Sequence, residues 1–170
     1  QRSIYFLTGH GERDIQNAGD TAYTTAKDAL MAKNYTVLSL NLIAQNQIPE
    51  NATVIIIAGP TQPISTVEQT LLQDYVSKGG ALIVMEEPAP LTQFSTSPDP
   101  LAIYLEANWG ISFDNDIVID TNTSQPVYAV AATYGNHLIT DKLQGLVSFY
   151  PTARSLSISS TMPNQPTPLV

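Results

Sequence analysis

Residues 53–90 read TVIIIAGPTQPISTVEQTLLQDYVSKGGALIVMEEPAP, and no other stretch restricts the fold of this chain so far. Two short apolar, β-branched runs, 54–58 and 81–85, flank a pattern with apolar residues at Val67, Leu71, Leu72, Tyr75 and Val76. That spacing places them on one face of a helix. Ser65 followed three residues later by Glu68 forms a capping box, in which each side chain satisfies a backbone N–H left over at the helix start. Lys78 in the last turn and the Gly79-Gly80 pair mark the stop, because glycine enters the left-handed region without a Cβ penalty. A strand, a helix and a second strand with only a crossover between them make a parallel, right-handed βαβ unit.

Upstream, Ile4-Tyr5-Phe6-Leu7 is a continuous apolar run closed by Thr8-Gly9-His10-Gly11, as expected of a buried parallel strand opening into a loop. Tyr23, Ala26, Ala29 and Leu30 recur at helical spacing, with Asp20 or Thr21 available as a cap, and 35–40 reads as a second strand. The order βαβ followed by βαβ predicts an α/β protein: an open, mostly parallel sheet with helices on both faces, flavodoxin-like. Beyond it, 92–100 is too polar for a core. Leu101, Tyr104, Leu105 and Trp109 predict a helix stopped by Gly110, and strands are expected at 117–119, 127–132 and 147–150. The expected organisation is one α/β domain over 1–158 with a Pro-rich, loosely held segment at 159–170.

Composition removes several function classes. There is no cysteine, so thiol nucleophiles, cysteine metal sites and redox switches are excluded. Seven Lys and Arg against a net charge of −8 offer no basic patch for nucleic acid or anionic lipid. No apolar run approaches the ~18 residues of a membrane-spanning helix. The chain opens with Gln1-Arg2-Ser3 directly before a strand and ends at Leu169-Val170 after a Pro-rich tract, so it reads as a segment of a longer protein.

In sheets of this type ligands bind beyond the carboxyl ends of the strands, where the strand order reverses. The loops expected there carry the candidate binding residues His10, Glu12 and Arg13 after the first strand, Thr61 and Gln62 after the third, and Glu86 and Glu87 after the fourth. A histidine beside a carboxylate suits acid–base work, yet a locally hydrogen-bonded histidine in a glycine-bounded loop is the commoner use of such a pair. No catalytic residue is assigned. Only His10 and His137 occur, in no metal-ligand spacing, and Gly9-x-Gly11 lacks the rest of a dinucleotide fingerprint, so no metal and no cofactor is implied. Asp114, Asp116 and Asp120 invite a calcium reading, but the spacing lacks the glycine and terminal glutamate of a calcium loop and fits a solvated turn better. Three Asn-x-Thr/Ser sequons, at Asn34, Asn51 and Asn122, matter only in a eukaryotic secretory setting.

The stretches IYFLTGHGER (4–13), VIIIAGPTQPIS (54–65), LLQDYVSKGGALIVMEEP (71–88), NWGISFDNDIVID (108–120) and FYPTARSL (149–156) together resemble the soluble domain of Gld-type gliding-motility ABC-transporter auxiliary proteins. That resemblance implies a class I glutamine amidotransferase-like or ThuA-like fold, a place on the extracytoplasmic face of the cytoplasmic membrane and a parent anchored there by its own helices. It also implies partners among transporter membrane subunits or other envelope proteins, with a glycan or peptide as further options. Amidotransferases act through a cysteine on a strand-to-helix elbow, and this chain has none, with proline at both comparable positions, Pro60 and Pro88. The expected function is therefore a non-catalytic interaction domain. Its rival is a ThuA-like hydrolase or small-molecule (sugar) binding enzyme using His10, Glu12 and Glu86 or Glu87. Convergence of His10 and a carboxylate within hydrogen-bond reach in a concave, water-poor pocket favours that rival, and a flat, exposed loop surface favours the interaction domain.

Overall fold

A computed structural model describes residues 2–94, 99–162 and 166–170. These fall into two compact units, one within 1–86 and 91–101, the other within 87–90 and 102–170.

The first unit holds β1 (Ser3–Leu7), α1 (Thr24–Met31), β2 (Thr36–Leu40), α2 (Leu42–Gln45), β3 (Ala52–Ala58), α3 (Thr66–Ser77) and β4 (Ala81–Met85). The four strands form one parallel sheet in the order β2-β1-β3-β4, the flavodoxin-like arrangement expected from the alternating pattern. The chain steps from β1 outward to β2 and from β3 outward in the opposite direction to β4. Right-handed crossovers in opposite directions put α1 and α3 on opposite faces. Side chains of a strand alternate between faces. Ile4, Phe6, Val37, Ile56 and Ala58 pack together with Tyr23 and Leu30 on the α1 side. The alternate residues Tyr5, Leu7, Ile55 and Ile57 are buried as well, so the central strands are covered on both sides.

β4 differs from the continuous apolar strand expected. Ala81, Ile83 and Met85 are exposed, because β4 is the edge of this sheet and α1 lies over the opposite part of it. α3 carries both halves of the capping box, Ser65 Oγ accepting from the Glu68 N–H and Glu68 accepting from the Ser65 N–H. Gly79 ends it with φ 90°, and a Cβ on Gly80 would strike the Tyr75 ring. Its buried face is narrower than the spacing implied. Leu72 is fully buried and Val67 is 61 % exposed, since Val67 lies in the first turn at the rim of the sheet. α1 starts at Tyr23 without a side-chain cap, and the Tyr23 N–H donates to the Asp14 carbonyl, so neither Asp20 nor Thr21 serves there.

α4 (Pro100–Trp109) ends at Gly110, φ 65°. In the second unit β5 (Ile111–Phe113) pairs antiparallel with β8 (Leu156–Ile158), and β6 (Tyr128–Ala131) with β7 (Ser148–Pro151). The strand expected at 117–119 is not formed. The apolar triplet follows Asp116 out of the β5 ladder, and the Val118 N–H bond to the Ala153 carbonyl ties it to the β7–β8 connection. Arg154 holds this unit through its guanidinium, which donates to the carbonyls of Phe113 and Glu87 and sits 5.6 Å from the Phe113 ring centroid. Of the Pro-rich 159–170 segment, 163–165 lie outside the described residues, and the Leu169 carbonyl accepts from the Gly135 N–H. The polar stretch expected at 92–100 likewise includes 95–98, outside the described residues.

Candidate functional site

The site is assembled where β1 and β3 lie side by side and their crossovers diverge. Past Leu7 the chain turns at Gly9, φ 126°, and lays its backbone against the loop after β3. The His10 carbonyl accepts from the N–H groups of Thr61 (2.8 Å) and Gln62 (3.0 Å), and the Arg13 N–H donates to the Ala58 carbonyl at 2.8 Å. Gly11 has φ 78°, and a Cβ there would collide with Thr61 Oγ1, so this position requires glycine both for conformation and for space.

This stitching drives the His10 imidazole inward. Its side chain is 5 % exposed, and each ring nitrogen faces a buried carboxylate: Nδ1 is 3.0 Å from Glu12 Oε1 and Nε2 is 3.0 Å from Glu68 Oε2. The His10 N–H also donates to Glu12 Oε2 at 2.8 Å. Only the imidazolium has two ring donors, so this geometry calls for the protonated form. The hydrogen bond to Glu12 raises the His10 pKa above 6.5, burial opposes it, and the charges of Glu12 and Glu68 add to the rise. For Glu12 burial pushes the pKa up, and the hydrogen bonds from the His10 ring and backbone outweigh it, leaving it below 4.5.

Glu68 is loaded asymmetrically. Its Oε2 is approached by His10 Nε2 and by both the N–H and the Oγ of Ser65, the latter at 2.7 Å. Oε1 is buried and has no hydrogen-bond partner among the described residues. Ser65 Oγ donates to Glu68, and both His10 ring nitrogens are engaged by carboxylates, so the imidazole is not aimed at that hydroxyl.

Beside the trio lies a cleft of about 460 Å³, walled by Gly9, His10, Ile43, Gln62, Ser65 and Glu68 among others. Of the seven residues expected there, His10 and Gln62 line it. Glu12 stands behind the imidazole, its side chain 1 % exposed, and Thr61 braces the loop through its N–H and Oγ1. Arg13 contributes its backbone bond to β3. Glu86 follows β4 directly without lining the cleft, and Glu87 belongs to the second unit, where its carbonyl accepts from Arg154. Sequence reasoning missed Glu68 as a site residue, although its capping-box position next to the expected loop was the available signal. It also missed α2, whose Leu42 and Ile43 form a wall, and the following Asn46.

The aspartates singled out for calcium are committed elsewhere. Ser155 Oγ donates to Asp114 and Asp116, Ser157 Oγ donates to Asp114, and the Ser155 N–H donates to Asp116 at 2.9 Å. The Ser155 backbone bond, then its hydroxyl, lowers the Asp116 pKa. Asp120 accepts from the Asn122 N–H in a turn. Among the described residues no group of three or more His, Asp or Glu is arranged to hold a metal ion. No described helix is long and apolar enough to cross a membrane.

Fold and site together define an open parallel α/β domain with a polar cleft at its topological switch point. The whole chain, residues 1–170, matches the family described as ABC-type uncharacterized transport system, and the chain belongs to that family of transport auxiliary proteins. Among solved structures it is similar to the mmIFT52 N-terminal domain, with a TM-score of 0.71 and 24% identity over 93% of this chain and 69% of that one. A likeness at that identity speaks for the fold alone. Among curated proteins, none matches the chain.

Proposed function

We propose that this chain is the extracytoplasmic, non-catalytic interaction domain of a gliding-motility-type ABC transport auxiliary protein whose parent is anchored in the membrane. The observation that carries the non-catalytic reading is the saturation of His10: both ring nitrogens are held by buried carboxylates, and the adjoining Ser65 hydroxyl is bonded to Glu68 and not to the imidazole. What the cleft presents instead is a rigid, cross-stitched loop pair with apolar side chains at its rim, Ile43 and Val67, both more than half exposed. Such loops on a rigid sheet are the usual place for recognition. A transporter membrane subunit or another envelope protein is the proposed partner. Combining Ile43→Ser, Gln62→Ala and Val67→Ser alters only exposed positions, so the fold should survive while co-purification of the full-length parent with its transport complex is lost. A variant that assembles normally contradicts the interface. Protease accessibility of the domain in intact spheroplasts tests the extracytoplasmic side.

The enzyme reading keeps one specific observation in its favour: His10 and Glu12 do converge, at 3.0 Å, in a buried setting beside a cleft. Turnover of a glycoside, amide or ester that disappears with His10→Gln would establish it over the interaction reading.

A further inference from the structure

We propose that β4 is the contact edge of a two-fold dimer, in which this strand pairs antiparallel with β4 of a second copy of the chain about Ile83. The contact is separate from the cleft beside His10 and does not depend on what that cleft binds. The Gly59 N–H donates to the Met85 carbonyl at 2.7 Å, so the backbone groups of Met85 face β3, and along a strand this direction alternates. Ile83 therefore faces β3 as well, while Leu82 and Val84 turn their N–H and C=O groups outward. Among the described residues no hydrogen bond reaches these four groups. β4 packs chiefly against β3 and α3, and none of its residues is buried, in contrast to β1, which is buried throughout. An open edge is ordinarily protected by a charge, a proline or a bulge. β4 has none of these: it reads ALIVM, and its register with β3 runs unbroken from Val54–Ala81 to Ala58–Met85.

That the occupant is a second copy follows from self-complementarity. A two-fold axis at Ile83 sets Leu82 of each copy opposite Val84 of the other, and each such pair exchanges two N–H···O=C bonds. All four outward groups of both copies are then used. An axis at Leu82 or Val84 would instead draw in Gly80 or Glu86, outside the strand. On the α1 face Ile83 meets its own equivalent, and Ala81 lies opposite Met85, small against large. The surface covered is the exposed part of Ile83 and Met85, 48 % and 36 %. Charge points the same way. At a net charge of −8 two copies repel, and β4 is a surface that carries no charge. Lys78 precedes the strand and Glu86-Glu87 follow it, so antiparallel pairing turns the basic end of each copy toward the acidic end of the other. Such a contact uses the same patch on both copies and closes at two.

Sedimentation velocity of the purified chain from micromolar to millimolar concentration should show a reversible rise from the mass of one chain to that of two. Ile83→Lys sets like charges against each other on the axis, and Val84→Pro removes an outward N–H at an edge that tolerates proline. Both variants should stay monomeric with circular dichroism unchanged. The chain has no cysteine, so single cysteines read the register. Mild oxidation should link Ile83→Cys across the axis, where Cα atoms about 4.5 Å apart lie within disulfide reach. Ala81→Cys should not link, because its two copies stand about 13 Å apart along the strands, whereas Ala81→Cys combined with Met85→Cys should. A chain that is monomeric at every concentration overturns the proposal and leaves the edge to a strand of a different protein. A dimer that persists in folded Ile83→Lys and Val84→Pro overturns it too, as does Ala81→Cys linking as readily as Ile83→Cys. Should either disruptive variant fail to fold, the cysteine comparison alone decides.

Discussion

Two polar clusters, one in each unit, drew attention for the same reason, closely spaced charged residues in a loop, and they resolve in opposite ways. Asp114 and Asp116 are satisfied by the hydroxyls of Ser155 and Ser157 at the surface, in a latch that closes the connection between β5 and β8. His10, Glu12 and Glu68 are removed from water, and their charges answer one another instead. A carboxylate at the surface needs no particular partner, because water can replace whatever serine offers. A buried carboxylate has only what the fold provides, so deleting one member of the trio strands the others.

The largest expected effect follows directly. His10→Ala leaves Glu12 and Glu68 buried without their common counter-ion and should cost about 3–5 kcal/mol in chemical denaturation. A loss below about 1 kcal/mol would mean that water reaches the carboxylates and that the two clusters are of one kind.

A smaller effect separates this charge-based stability from ordinary backbone strain in the same unit. Gly79, φ 90°, meets nothing that a Cβ would touch, so Gly79→Val should destabilise through conformation alone, by somewhat more than about 1 kcal/mol. Its cost should not vary with pH. An equally stable variant would show that the α3 end can be rebuilt without a left-handed residue.

The pH profile of stability should carry the signature of the trio. The His10 pKa is raised on folding, so its contribution is complete below 6.5 and is lost as pH rises through the folded value. The Glu12 pKa is lowered, so its contribution is complete above 4.5 and is lost as pH falls through the folded value. Denaturation midpoints should therefore be highest between 4.5 and 6.5 as far as this pair is concerned, and His10→Gln should flatten the alkaline side. An alkaline limb unchanged by that substitution would break the assignment.

The smallest expected effect lies in the second cluster. Asp116→Asn retains oxygen and shape at the surface, and its unfolding midpoint at neutral pH should equal that of the parent within error. A clear loss would make the latch more like the buried trio than its exposure allows.

How far each feature was legible depends on how local its cause is. The α3 capping box, the Gly79 stop and the 54–58 and 81–85 strands are written in residues within a turn or two of one another, and the structure contains them. The contact of His10 with Glu12 spans two positions and could be read as a pair. Its contact with Glu68 spans 58 positions and exists only because β1 and β3 are neighbours. Glu68 was visible as a cap, and nothing local indicates that the same carboxylate also ends on an imidazole. The misplaced strand at 117–119 and the exposed face of β4 share one origin. An apolar run shows that burial on some surface is favourable, while the pairing partner and the position at a sheet edge belong to the assembled topology.

His10 is a buried imidazolium bridging two carboxylates, and the protonation state of its ring is the property that decides this. In 15N-detected NMR of the ring across a pH titration, both nitrogens should show the protonated shift at pH 6.5 and the midpoint should lie above that value. His10→Gln identifies the resonance against His137. A midpoint at or below 6.5, or a ring that is a single neutral tautomer there, would contradict the bridge.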